Sequence, residues 1–362
     1  MLASDRLNGG WVTETTNIAA TVGAEGTLMF AEAAEAGAAV ERFLDRNGPA
    51  LTTLAARLRA TPPSFIVTCA RGSSDNAATY GKYLFETLLG ITTSSAAPSV
   101  SSVYSTSPVP SSNALCIAIS QSGRSPDLLA SVAAQRAGGA YVVALVNDEA
   151  SPLAETADLV LSLSAGAERS VAATKSYIVS LAGLAAIVAA WTQDAALVAA
   201  VHALPAHLPR AFALDWDAAI ASLRDARNLF VIGRGYTLGV AQEAALKLKE
   251  TCALHAECFS AAEVKHGPMA LVQDGFPILG FAGSDAAGED VRATGALFLS
   301  RGALVHVANG EGPGALPACT GHPAIEPILQ IQSFYRMANR LAILRGLDPD
   351  SPPYLKKVTS TR

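Results

Sequence analysis

From residue 63 onward, short runs of apolar or β-branched residues alternate with Gly/Ser turns and with stretches whose apolar positions recur every three or four residues. Phe65 to Thr68, Leu115 to Ile119, Tyr141 to Val146 and Leu159 to Leu163 read as strands, with helices over Asn76 to Leu89 and Pro126 to Ala137. Strand, turn and helix repeated in this way predict a parallel α/β sheet. Upstream, helical spacing runs from Leu28 through Phe43 and again from Leu51 to Leu58, while residues 1–27 are Gly/Thr-rich and aperiodic, a tail. The longest apolar run, Tyr177 to Trp191, is interrupted by Ser180 and is shorter than the roughly 20 residues that span a bilayer, so it reads as a buried helix.

Prolines between His202 and Pro209 break the rhythm and mark a linker over 202–213. The pattern then restarts. Leu229 to Gly235, opening a helix through Glu250, echoes Phe65 to Glu86, and Phe276 to Ser284 echoes Leu115 to Ser122, both at an offset of about 160 residues. Two α/β domains of similar topology are expected, over 28–201 and 214–350, with a C-terminal tail over 351–362.

Composition narrows the class. The 362 residues are 50% hydrophobic and 16% charged, with a net charge of −5, which excludes a disordered chain and makes a nucleic-acid or anionic-membrane partner an unfavourable match. Five cysteines without a CxxC spacing exclude zinc sites built from close cysteine pairs and suit reduced thiols in the cytoplasm. The N-terminus carries no basic start followed by an apolar run, so no secretory signal is expected.

Against this charge-poor background three features stand out. The turn Ser120-Gln121-Ser122-Gly123-Arg124-Ser125 lies between a strand and a helix that begins at Pro126. Its hydroxyls, amide and helix N-terminus form a neutral cradle for a phosphate monoester, although serines at such places also simply cap helices. Gly72-Ser73-Ser74 offers similar groups after the first strand, beside the other turn in a parallel sheet. The densest chemistry lies in Gln242 to Ala270, where Glu243, Lys247 and Glu250 share one helical stripe and Glu263, Lys265 and His266 follow. The stripe is either an exposed Glu/Lys pair or a carboxylate base with proton donors beside it. His266 and His255 are each more often structural than catalytic in such settings. Lys356 and Lys357, in a proline-rich tail, carry no signal of their own.

The segments ARGSSDNAATYGKYLFE, ISQSGRSPDLL, AGAERSVAATKSY, EAALKLKETCALHAECFSAAEVKHGPMAL and YLKKVT resemble the isomerase half of the glucosamine-6-phosphate synthases, tandem sugar isomerase (SIS) proteins, over roughly residues 28–362. They are also similar to the type II glucosamine-6-phosphate deaminases, built from that half alone. The resemblance implies two tandem SIS domains, each a parallel sheet flanked by helices in a flavodoxin-like three-layer sandwich, in a cytoplasmic homodimer with shared active sites. By position it implies that Gly72, Ser73, Ser74, Ser120, Gln121, Ser122, Ser125 and Val171 bind the sugar phosphate. Glu250 then matches the base that moves a proton between C1 and C2, Lys247 its relay, His266 the ring-opening histidine contributed across the dimer, and Lys357 an imine-forming amine. No metal or redox cofactor is implied.

Some positions depart from the synthase pattern. Residue 2 is Leu2 and no cysteine precedes Cys69, so nitrogen from glutamine is not expected; Ala173 stands where the synthases have a serine, and Pro98-Ser99-Val100 replaces charged residues. The activity expected is the deamination of glucosamine 6-phosphate by water to fructose 6-phosphate and ammonia. The alternatives are another SIS-family phosphosugar isomerase or deglycase, or a sugar-phosphate sensor without turnover.

Overall fold

The repeated strand-turn-helix pattern folds into two parallel sheets, in a computed structural model that describes residues 23–106 and 113–357. Most of the expected N-terminal tail, residues 1–22, and the tail end 358–362 lie outside the described residues. The first half runs α1 (Leu28–Ala34), α2 (Ala36–Ala60), β1 (Phe65–Cys69), α3 (Ser73–Leu89), β2 (Thr93–Ser95), α4 (Pro98–Ser102), β3 (Ala114–Ser120), α5 (Pro126–Ala137), β4 (Tyr141–Val146), α6 (Pro152–Thr156), β5 (Leu159–Ser162), α7 (Lys175–Thr192) and α8 (Ala195–Phe212). The second runs α9 (Asp217–Leu223), β6 (Asn228–Gly233), α10 (Leu238–Cys252), β7 (His255–Ser260), β8 (Pro277–Phe281), α11 (Ala286–Leu299), β9 (Leu304–Ala308), β10 (Ala315–Leu316) and α12 (Glu326–Leu344).

Strand order is β2-β1-β3-β4-β5 in one sheet and β7-β6-β8-β9-β10 in the other, the same order at the same places in each half. The duplication suggested by two matching segments therefore extends to the whole topology. In sheets of this order the strand sequence reverses between the first strand and the third, and ligands bind at the carboxyl ends there. In the first sheet those ends lead into Ser73 and into the Ser120 turn.

Three local expectations are corrected. The helices expected over 28–43 and 51–58 instead divide at Glu35: α2 runs unbroken from Ala36 to Ala60 with Pro49 inside it, because Leu51, Leu54 and Leu58 continue the buried stripe of Val40 and Phe43. The prolines of 202–213 do not interrupt the chain, since Pro205 and Pro209 sit inside α8, whose buried Leu204 and Leu208 hold it against the core. The first helix after β1 begins at Ser73 rather than Asn76, so both serines stand on its first turn.

The apolar run around Tyr177 is the buried helix expected. By length and composition α7 is able to cross a membrane, yet 89% of it is buried, packed by α2, α3 and α8. It joins the two halves' cores with α12.

Where α3 and α10 cross, Gly239 decides the spacing. A Cβ there would come within 2.5 Å of Asn76 O and 2.9 Å of Tyr80 N, backbone atoms that cannot turn aside. Gly239→Ala on an exposed helix would gain about 1 kcal/mol from propensity; here overpacking by about 1–3 kcal/mol wins. The variant is expected to unfold at lower urea than the parent, and an unchanged midpoint would mean that the two helices part freely.

Candidate functional site

At the end of β3 the chain turns through Ser120 to Ser125 into α5. Ser120 Oγ accepts the Gly123 N–H at 2.9 Å, which fixes the turn. Gly123 has φ 63°, and a Cβ on it would lie 2.2 Å from Ser151 Oγ, so only glycine fits. Ser125 precedes α5 without capping it through its side chain, and the half-buried Gln121, Ser122 and Ser125 keep their polar groups at the helix N-terminus. The bland alternative, serines spent as caps, holds only for Ser120, as a brace of the turn. Next to it, Gly72 (φ 56°) leads into α3, and Ser73 and Ser74 begin that helix, again without a side-chain cap. Arg71 Nε donates to the fully buried Asp127 at 2.7 Å, tying the two turns together.

The equivalent place in the second sheet is closed by carboxylates. Asp285 caps α11 through the Gly288 N–H at 2.9 Å, and buried Glu326 accepts Ser284 N–H at 2.7 Å and Gly321 N–H at 3.0 Å. Negative charge already holds those donors, so this place does not offer them to an anion.

The stripe on α10 is not a solvated face. Glu243 is fully buried and Lys247 is 1% exposed, while the Glu250 side chain is 23% exposed. Lys247 Nζ lies 3.4 Å from Glu243 Oε1 and donates to Glu250 Oε2. Asn76 Nδ2 donates to Glu243 Oε2 at 2.9 Å, Tyr335 Oη to its other oxygen at 3.3 Å, and Ser73 also bonds it. Burial pushes the Glu243 carboxyl up, and Lys247 and Asn76 pull it back only in part. Burial pulls the Lys247 ammonium down, but Glu243 and Glu250 outweigh it and hold it above its ordinary value. Lys247 is thus a fixed positive charge, and Glu250 is the member of the trio that reaches solvent.

A second buried carboxylate escaped the sequence reading. Glu168 accepts Thr174 N–H at 2.9 Å, Ser176 Oγ–H at 2.6 Å and Lys357 Nζ at 3.0 Å. Burial favours its neutral form, but the Lys357 ammonium and these hydrogen bonds outweigh it, holding the carboxyl below its ordinary value. The two clusters are neighbours: the buried Tyr335 hydroxyl is pushed well up by burial, by Glu243 and by Glu168.

Ser73, Glu243, Lys247 and Glu250 therefore form one connected chain, and Tyr335 stands between it and the Glu168 that holds Lys357. Val171 lies in the loop that carries Glu168, its N–H bonded to Asp350 O at 3.0 Å. His266 ends the short 3-10 turn Glu263–His266, exposed, and among the described residues makes no hydrogen bond or ion pair to this group. His255 starts β7 and is exposed. Val100 of α4 lines a cavity of about 530 Å³ beside α5 that none of the expected site residues line. Asn76, Tyr335 and Asp350 had no signal in the sequence; Glu168, an acid three residues before Val171 in a charge-poor chain, had a weak one.

The family model of the SIS domain matches residues 63–190 and 222–308. Among solved structures, a proposed phosphosugar isomerase from Silicibacter pomeroyi DSS-3 is 42% identical with a TM-score of 0.86, covering 90% of this chain and 100% of that one. The glucosamine-6-phosphate deaminase of Thermotoga maritima shares the fold, with a TM-score of 0.74 at 22% identity over 92% of this chain and 100% of that one. The glutamine–fructose-6-phosphate aminotransferase (isomerizing) of Thermococcus kodakarensis is 35% identical over 321 residues, 81% of this chain and 51% of its own length. The chain spans about half the length of the curated relatives it matches.

Proposed function

The chain belongs to the SIS domain family, carrying two such domains, and from that premise we propose that it is a glucosamine-6-phosphate deaminase, converting glucosamine 6-phosphate and water to fructose 6-phosphate and ammonia. The observation that carries this reading is the Glu243–Lys247–Glu250 trio, bonded to Ser73 of the first serine turn: a single solvent-reaching carboxylate next to a fixed ammonium, with the Ser120 turn at the end of the neighbouring strand.

In this reading Gln121, Ser122, Ser125, Ser73 and Ser74 hold the phosphate and hydroxyls, and the small substrate is oriented by that grip. Glu250 removes the C2 proton of the open-chain amino-aldose and returns it to C1. The product is the C2 imine of the ketose; water adds to it and ammonia leaves. Lys247 supports the charge on Glu250 and relays protons. Lys357, once it leaves Glu168, reaches the open-chain carbonyl. His266 opens the sugar ring in the site of a second copy, which suits its exposure and its lack of bonds to the trio. The protein then works in the cytoplasm as a homodimer with shared sites.

The test is to incubate the pure protein with glucosamine 6-phosphate and assay ammonia and fructose 6-phosphate together. Equal yields of both, absent from a Glu250→Gln control, are expected. Aldose–ketose interconversion of another phosphosugar without ammonia would favour an isomerase, as the Silicibacter pomeroyi relative is described.

A further inference from the structure

The short helix α1 holds two segments that converge on Lys357, the C-terminal tail and the 168–175 loop. Both carboxylate oxygens of Asp350 accept backbone N–H groups at its start, Leu28 and Met29, each at 2.7 Å. Glu32 on the same helix accepts the N–H groups of Arg169 and Ser170 and the Ser170 hydroxyl, the last at 2.6 Å. At its end Glu35 pairs with Lys175 at 2.6 Å, the lysine side chain only 3% exposed. The helix thus braces both ends of the 168–175 loop. That loop grips the tail in turn, through Val171 N–H to Asp350 O at 3.0 Å and Glu168 to Lys357 at 3.0 Å.

Asp350 is where helix, loop and tail meet. Its side chain binds α1, its carbonyl binds the loop, and seven residues later the same strand of tail presents Lys357. A tail of this kind is ordinarily frayed, because it buries little apolar surface. Here Pro349 and Pro352 are buried but Tyr354, Leu355 and Lys356 are exposed, so beyond Pro352 it is the polar anchors at either end that fix where the lysine stands. The two N–H groups at the start of α1 have no partner within the helix, and satisfying both with one charged acceptor is a strong, directional tie.

We propose that Asp350 is a positioning residue, locking the C-terminal tail to α1 and to the Val171 loop so that Lys357 is held at the site; this rests on the deaminase reading for what Lys357 then does. Asp350→Ala frees the tail, and Asp350→Asn, which keeps one acceptor oxygen, frees it partly. Two readouts separate the anchor from the chemistry. Trypsin release of residues 358–362, followed by mass spectrometry, reports the anchor alone, and is expected to be faster in Asp350→Ala and intermediate in Asp350→Asn. Turnover of glucosamine 6-phosphate reports the consequence, with kcat down about a hundredfold in Asp350→Ala as for a misplaced reacting group, KM nearly unchanged, and partial recovery in Asp350→Asn. Wild-type release in Asp350→Ala overturns the proposal whatever the substrate is. A freed tail with wild-type kcat overturns it too. A parent protein that turns over no glucosamine 6-phosphate sinks the deaminase reading, while the release assay still decides whether Asp350 anchors the tail.

Discussion

Glu250→Gln lowers kcat for glucosamine 6-phosphate by about a thousandfold with little change in KM, the loss expected when a positioned general base is removed while binding contacts stay. Glutamine preserves the shape of the side chain and an oxygen to accept from Lys247, so the helix and the buried pair stay in place. The amide nitrogen cannot take a proton from carbon. Steady-state kinetics alongside a thermal unfolding curve checks this. A variant that keeps more than about a tenth of the parental kcat would remove Glu250 from the role of base.

Lys247→Met is expected to cost the fold more than any other substitution in the site. The methionine matches the stem in volume but leaves Glu243, fully buried, without its cation. Breaking a buried pair from one side costs about 3–5 kcal/mol. Asn76, Ser73 and Tyr335 still bond the carboxylate, and burial already pushes it toward its protonated form. The variant therefore limits the loss by protonating Glu243.

This gives the effect a sign in pH. With its folded pKa raised above the unfolded value, Glu243 in the variant binds a proton that the unfolded chain has released, so stability falls as pH rises above the ordinary carboxylate range, by up to about 1.4 kcal/mol per pH unit. In the parent Lys247 is itself raised, and its contribution persists throughout that window, since it is lost only as pH climbs through the lysine range. Urea unfolding at pH 5 and pH 8 should show the gap between variant and parent widening with pH. A gap that narrows would mean Glu243 stays ionised without its lysine.

Much of the fold was legible because parallel strands are buried on both faces and so read as unbroken apolar runs: β3 and β4 emerge within a residue of their expected ends. Short or half-exposed strands did not. β2 (Thr93–Ser95) is three polar residues on a sheet edge, and β7 carries His255 and Glu257 outward, so neither forms an unbroken apolar run. The prolines of 202–213 signal a break that does not occur, because the burial of Leu204 and Leu208, a tertiary gain invisible in the spacing, outweighs it.

For the site, sequence alone determined which residue types were concentrated and where the turns fell: the Ser120 and Ser73 turns, and a helical stripe of two acids and a lysine in a chain with few charges. What those charges do was decided only by the tertiary structure. Helical spacing places Glu243 and Lys247 on one face but cannot say whether water reaches it, and the same pair is nearly neutral when solvated and a fixed buried ion pair when α3 and α12 close over it. The ties that hold Lys357 in place, from Glu168 and from Asp350 to α1, join residues 189 and more than 320 positions apart, and a separation of that size leaves no periodic trace in the chain.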